Sequence, residues 1–203
     1  MRVAIVIFDG FDELDAIGPY EVLRHAARRG AQLDASMVTI GTKDEGVASG
    51  GLRVHPHARL DESPQVLLIP GGPGARREAL RGELPEVIAR RHEAGTVVAT
   101  VCTGAMLAVS AGITTGRPAT THHAILDELA ASGAEAIAAR VVDDGDLVTA
   151  GGVTCGIDLA LWLVEREAGA PLADAVAAEM AYARTAAVIR HPAAATTGYE
   201  SSA

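Results

Sequence analysis

Unbroken apolar runs alternate along this chain with segments of helical periodicity, and that alternation constrains its fold more than any other feature. RVAIVIF (2–8), QVLLIPGG (65–72) and VVATV (97–101) are such runs. A strand with no polar face must be covered on both sides, which is the situation of a parallel sheet between helices. LDASMVTIG (33–41) reads as another strand and LRVHP (52–56) as a short antiparallel element. ARVVDDGDLVTAGG (139–152) reads as a hairpin turning at Asp144 and Gly145. Helical spacing appears in GPYEVLRHAARRG (18–30), with Pro19 at its start and Gly30 at its end, and in LPEVIARRHEAG (84–95). It returns in HAILDELAASG (123–133), GIDLALWLVEREAG (156–169) and PLADAVAAEMAYA (171–183). The pattern predicts one α/β domain over 1–190, a mostly parallel sheet with helices on both faces. HPAAATTGYESSA (191–203) is small and polar, and a poorly ordered tail is expected there.

Composition narrows the partners. With aromatics at 3%, the core has to be built from Ala, Val, Leu and Ile. A net charge of −9 argues against a nucleic-acid backbone or an anionic membrane as partner. Lys43 is the single lysine, so arginine carries the positive charge. The first apolar run is too short for a signal peptide, and no stretch is long enough to span a bilayer. Cys102 and Cys155 lie far apart, without metal-ligand spacing, and are expected to be reduced thiols in a cytoplasm. No metal site is expected.

Cys102 stands where the apolar strand of VVATVCTGAML (97–107) gives way to a helical turn. In open parallel sheets, ligands bind beyond the carboxyl ends of the strands, where Cys102 and the Gly71, Gly72 turn both fall. A thiol at a helix N-terminus feels the positive end of the dipole, which predicts a lowered pKa for Cys102 but not for Cys155. The amide of Thr103, with those of Gly71 or Gly72, is a candidate donor to developing negative charge. Gly104 supplies one small neighbour of a nucleophile elbow, whereas Thr100 departs from that pattern. No histidine follows Cys102 directly. His122 and His123 are candidates for the cleft, although adjacent histidines at a helix start are expected to point to different sides. FDGFDELDAIGPYEVL (8–23) concentrates carboxylates at the same sheet edge. Asp12 and Glu13 read as solvated charges there. Asp15, flanked by Leu14, Ala16 and Ile17, is the carboxyl best placed for burial and a raised pKa.

FDELDAIGPYEVL, LLIPGGPG, VCTGAMLAVSAGI, GRPATTHHA and GDLVTAGGVTCGIDLALWLV occur in the order seen in the ThiJ/PfpI superfamily. The resemblance covers about residues 2–170 and is greatest to the isocyanide hydratase branch, with its aspartate in "LDxxGP" and its Cys-Thr-Gly elbow. It implies a flavodoxin-like three-layer sandwich of the class I glutamine amidotransferase-like type, usually dimeric. By motif, Cys102 is similar to the family nucleophile and Asp15 to the acid that hydrogen-bonds it. Thr103 joins them as a catalytic candidate, and Gly71, Gly72, His122 and Gly152 are candidates for binding substrate or oxyanion. The implied chemistry is thiolate attack on an isocyanide carbon and hydrolysis of the thioimidate to an N-formamide, with no metal or cofactor. The chain departs from the pattern at His123, where the branch has tryptophan, at Cys155, where it has a small residue, and after Met180, where a Pro-rich segment is missing.

Two other readings compete. Amidase, protease-like or glyoxalase-like members use the same elbow, but the protease-like ones place histidine where Thr103 stands, and the glyoxalase-like ones use glutamate where Asp15 stands. The third reading is a sensor. Related domains precede helix-turn-helix modules in AraC-type regulators, and no such module is expected here. An oxidisable thiol could serve a stand-alone redox sensor.

Overall fold

The computed structural model describes residues 1–60, 64–184 and 187–191. The expected tail over 191–203 therefore lies, apart from His191, outside the described residues. Strand β1 (Arg2–Val6) leads to helix α1 (Glu13–Arg28) and β2 (Asp34–Thr39). A hairpin of β3 (Gly46–Val47) and β4 (Arg53–Val54) precedes β5 (Ala58–Arg59). Next come β6 (Val66–Ile69), α2 (Pro73–Arg81), α3 (Glu83–Glu93) and β7 (Val97–Val101). A 3-10 turn, Cys102–Gly104, opens into α4 (Ala105–Ser110). The pair β8 (Pro118–Ala119) and β9 (Glu135–Ala136) brackets α5 (Leu126–Ala131). The chain then forms β10 (Val141–Asp143), β11 (Leu147–Ala150), α6 (Cys155–Ala168), α7 (Ala170–Glu179) and β12 (Ile189–Arg190).

The main sheet runs β12-β10-β11-β7-β6-β1-β2-β5, and only the β10–β11 hairpin pairs antiparallel among the described residues. Helices α1, α6 and α7 pack together as one layer, and α2, α3 and α4 as the other. This is the mostly parallel α/β sandwich that the apolar runs imply. β6 and β11 are buried along their whole length, which is why neither has a polar face.

Two elements differ from expectation. Helix α1 starts at Glu13, ahead of Pro19, because the Asp12 side chain accepts the Leu14 N–H at 3.1 Å and caps it. Pro19 therefore lies inside the helix, on its buried face. Helix α2 had no predicted counterpart, since PGARREALR buries only Gly74, Ala75 and Glu78 and shows little apolar stripe. Pro73 at its first position starts it.

From β1 the chain steps outward to β2, then returns to β6 on the other side of β1 and continues to β7. The strand order thus reverses between β1 and β6, the kind of place where open sheets bind ligands at their carboxyl edge. Asp15 follows β1, Gly71 follows β6, Cys102 follows β7 and Gly152 follows β11.

Candidate active site

Val101 ends β7 in extended conformation, and Cys102 turns into the left-handed region at φ +57. That costs a non-glycine residue about 1–3 kcal/mol and persists only where neighbours hold it. Here the Cys102 amide donates to the Gly151 carbonyl at 2.9 Å, and the Thr121 hydroxyl donates to the Cys102 carbonyl at 2.8 Å. The side chain is 6% exposed, so the sulfur lies just below the surface of the crevice.

Asp15, in the first turn of α1, is fully buried. Its Oδ2 accepts the Gly71 N–H at 2.9 Å, while Oδ1 has no hydrogen-bond partner among the described residues. The Cys102 thiol approaches this carboxyl as a donor and eases its ionisation. Gly71 is required by close approach. A Cβ there would sit 2.6 Å from the Thr103 hydroxyl and 3.0 Å from Asp15 Oδ2.

This geometry corrects the expectation for Gly71 and Gly72. Neither amide is open to substrate, because Gly71 holds Asp15 and Gly72 donates to Thr103 Oγ1 at 2.8 Å. The Thr103 hydroxyl returns a bond to the Gly72 carbonyl at 3.2 Å, so it braces the crevice. The amides that do reach the sulfur belong to Val153 and Thr103. Val153 was not anticipated. The signal was the Gly151, Gly152 pair closing an apolar strand, the same signature that marked Gly71 and Gly72. Val153 too has a positive φ, +31.

The predicted thiolate is overturned as well. Burial, and then the negative charge of Asp15, push the Cys102 thiol up to about 11, against the pull of the Val153 and Thr103 amides. The helix that was to lower it is only Ala105–Ser110, entered through a 3-10 turn, so its dipole is short. Burial, with the charge of Asp12, raises Asp15 from 3.8 to about 7. Both shifts disfavour a second negative charge in the crevice, so the two groups titrate as a coupled pair. Burial also raises the Cys155 thiol.

His122 and His123 do not diverge. Their rings stack with centroids 4.2 Å apart, and both line a cavity with Gly152 and Cys155. His122 Nδ1 accepts the Ala124 N–H at 3.2 Å, capping the short turn His123–Ile125. Among the described residues no cluster of His, Cys, Asp or Glu could hold a metal ion, and both cysteines are free. No helix of the described chain is long and apolar enough to cross a membrane.

Comparison with known proteins agrees with this fold. The family model described as DJ-1/PfpI matches residues 1–166. An isonitrile hydratase of Pseudomonas putida is 33% identical over 187 residues, 90% of this chain and 79% of the relative. A deglycase of Pyrococcus abyssi is 29% identical over 155 residues, 73% of this chain and 89% of the relative. A solved ThiJ/PfpI family protein of Pseudomonas syringae superposes with a TM-score of 0.80 at 26% identity, covering 91% of this chain and 76% of that one.

Proposed function

The chain belongs to the DJ-1/PfpI family, and from that premise we propose that it hydrates isocyanides to N-formamides through a thioimidate on Cys102. The observation that carries this reading is the buried Asp15 Oδ1, which has no partner among the described residues and belongs to a carboxyl beside the sulfur. A carboxyl in that state can accept a proton and hand it on.

As the Cys102 sulfur attacks the terminal carbon, its proton passes to Asp15, and the C–S bond forms. Asp15 then delivers that proton to the same carbon, giving R–N=CH–S. Water adds to this carbon as Asp15 takes one of its protons and passes it to the nitrogen, giving R–NH–CH(OH)–S. The C–S bond then breaks as the hydroxyl proton passes through Asp15 to the sulfur, and R–NH–CHO leaves. The sum is isocyanide plus water giving the formamide, and this cycle calls for neither metal nor organic cofactor. The Val153 and Thr103 amides steady the sulfur's charge during attack. Such a thiol works in a reducing compartment, and the reading includes a cytoplasmic setting.

Turnover of phenyl isocyanide with formanilide as product tests the reading, and Cys102→Ser should abolish it. The deglycase relative supports a second reading, in which the same thiol attacks a carbonyl carbon. Release of a carbonyl adduct from a glycated thiol or amine, with phenyl isocyanide untouched, would favour that reading.

A further inference from the structure

A cavity of about 500 Å³ is bounded by residues 151–153, the turn whose Val153 amide faces the Cys102 sulfur. Much of its lining is small or apolar, including Leu126, Ala138 and Ala139. Two side chains on it keep hydrogen-bonding capacity that the described residues leave unused. Because His122 Nδ1 accepts the Ala124 N–H, the ring proton of neutral His122 sits on Nε2. That edge of the ring lies over Gly152, where a Cβ would be 2.8 Å from Cδ2 and 3.3 Å from Nε2.

The second is Arg140. Its Nε donates to Asp158 Oδ2 at 2.7 Å, and its Nη2 donates to the Thr154 and Tyr182 hydroxyls, both at 3.1 Å. Tyr182 in turn donates to Asp158 at 2.9 Å. The guanidinium is held on one side by this network, while Nη1 has no partner among the described residues.

We propose that this cavity receives the substituent of the isocyanide, and that His122 Nε2 and Arg140 Nη1 select substituents bearing a carbonyl or carboxylate oxygen over hydrocarbon ones. A hydrocarbon arm filling the cavity would cover the His122 N–H without giving it an acceptor, which is costly, whereas an oxygen satisfies it and is drawn to the charge of Arg140, whose side chain is 35% exposed. Asp158 already balances the charge of Arg140, so a neutral carbonyl is sufficient. The proposal rests on the hydration reading for its substrate, but on the cavity alone for its selectivity.

The test compares 4-acetylphenyl isocyanide with 4-isopropylphenyl isocyanide, which match in shape and differ in the oxygen. Ring electronics act equally on every protein variant, so the informative quantity is the change in the ratio of kcat/KM values. His122→Phe keeps the stacked wall and removes Nε2–H, and it should lower the acetyl preference about ten-fold. Arg140→Lys should lower it similarly. If Arg140→Lys fails to fold because Asp158 loses its partner, His122→Phe carries the test alone. An unchanged ratio in the folded variants overturns the proposal. If wild-type protein turns over neither isocyanide, the hydration reading fails by itself. Calorimetric binding of the two corresponding formanilides then decides, with a 4-acetyl preference lost in His122→Phe supporting the cavity assignment and equal affinities in wild type overturning it.

Discussion

A carboxyl that ionises near pH 7 beside a thiol that holds its proton to about 11 has consequences that can be read residue by residue. In the proposed cycle Asp15 must be ionised to accept the thiol proton, so kcat/KM should fall as pH drops through about 7. Asp15→Asn should lower turnover by about 10²-fold or more, the usual scale for a positioned acid or base. Wild-type turnover in that variant would end the proton-shuttle role and make His122 the next candidate. The same substitution should stabilise the fold at pH 8. The folded pKa of Asp15 lies above its ordinary value of 3.8. The protonated carboxyl's contribution is therefore complete below pH 3.8 and is lost as pH rises through about 7. Asparagine avoids burying that charge, a gain of about 2–4 kcal/mol at pH 8 that urea titration should show and that should vanish near pH 4. Removing the charge of Asp15 should also let Cys102 alkylate at lower pH than in wild type. Asp12, expected to be a solvated charge, caps α1 and helps raise Asp15. Asp12→Asn preserves the cap and should move the acid limb of the rate profile to lower pH. Glu13 is likewise engaged, accepting the Gly50 amide at 2.7 Å.

At the scale of elements, the β10–β11 hairpin carries the 151–153 turn, and Asp143 ties that hairpin to α6. Its carboxylate accepts Trp162 Nε1–H at 2.7 Å, the Gly145 amide at 2.8 Å and Arg166 Nη1 at 3.3 Å. Asp143 and Trp162 are each 6% exposed, so truncation leaves the indole N–H facing little water. Asp143→Ala should cost about 3 kcal/mol, seen as a lower urea midpoint. An unchanged midpoint would show that hairpin and helix are joined by apolar packing alone. Apolar runs predicted the inner strands to within a few residues. They could not predict β5, β8, β9 or β12, each two residues long and defined only by the neighbour it pairs with.

For the whole molecule we propose a homodimer. The segment LRVHPHARL (52–60) carries the edge strand β5, but that strand is two residues long and ends in Arg59. Short charged edges discourage strand addition. A better face lies where Glu13 grips the 48–52 turn, bringing together the ends that carry Leu14 and Leu52, 37% and 45% exposed. Light scattering should report a dimer at working concentration, and Leu52→Asp should shift it toward monomer. A monomeric wild type would refute the assembly.

What the chain encodes locally was legible before any coordinates. Continuous apolar runs bury the same way in any arrangement, so a covered parallel sheet followed from RVAIVIF (2–8) and QVLLIPGG (65–72) alone. The positions of Cys102, Asp15 and Thr103 were legible too, because strand ends are written in neighbouring residues. Their charge states were not. Whether Cys102 holds its proton depends on Asp15, 87 positions away in sequence (102 − 15), and on how deeply the crevice buries both. The roles of the Gly71, Gly72 and Val153 amides, and the shared direction of the two histidine rings, were likewise settled by remote segments. Backbone conformation follows largely from local sterics and hydrophobic pattern, whereas hydrogen-bond partners and pKa values are set by whatever the tertiary fold brings within a few ångströms.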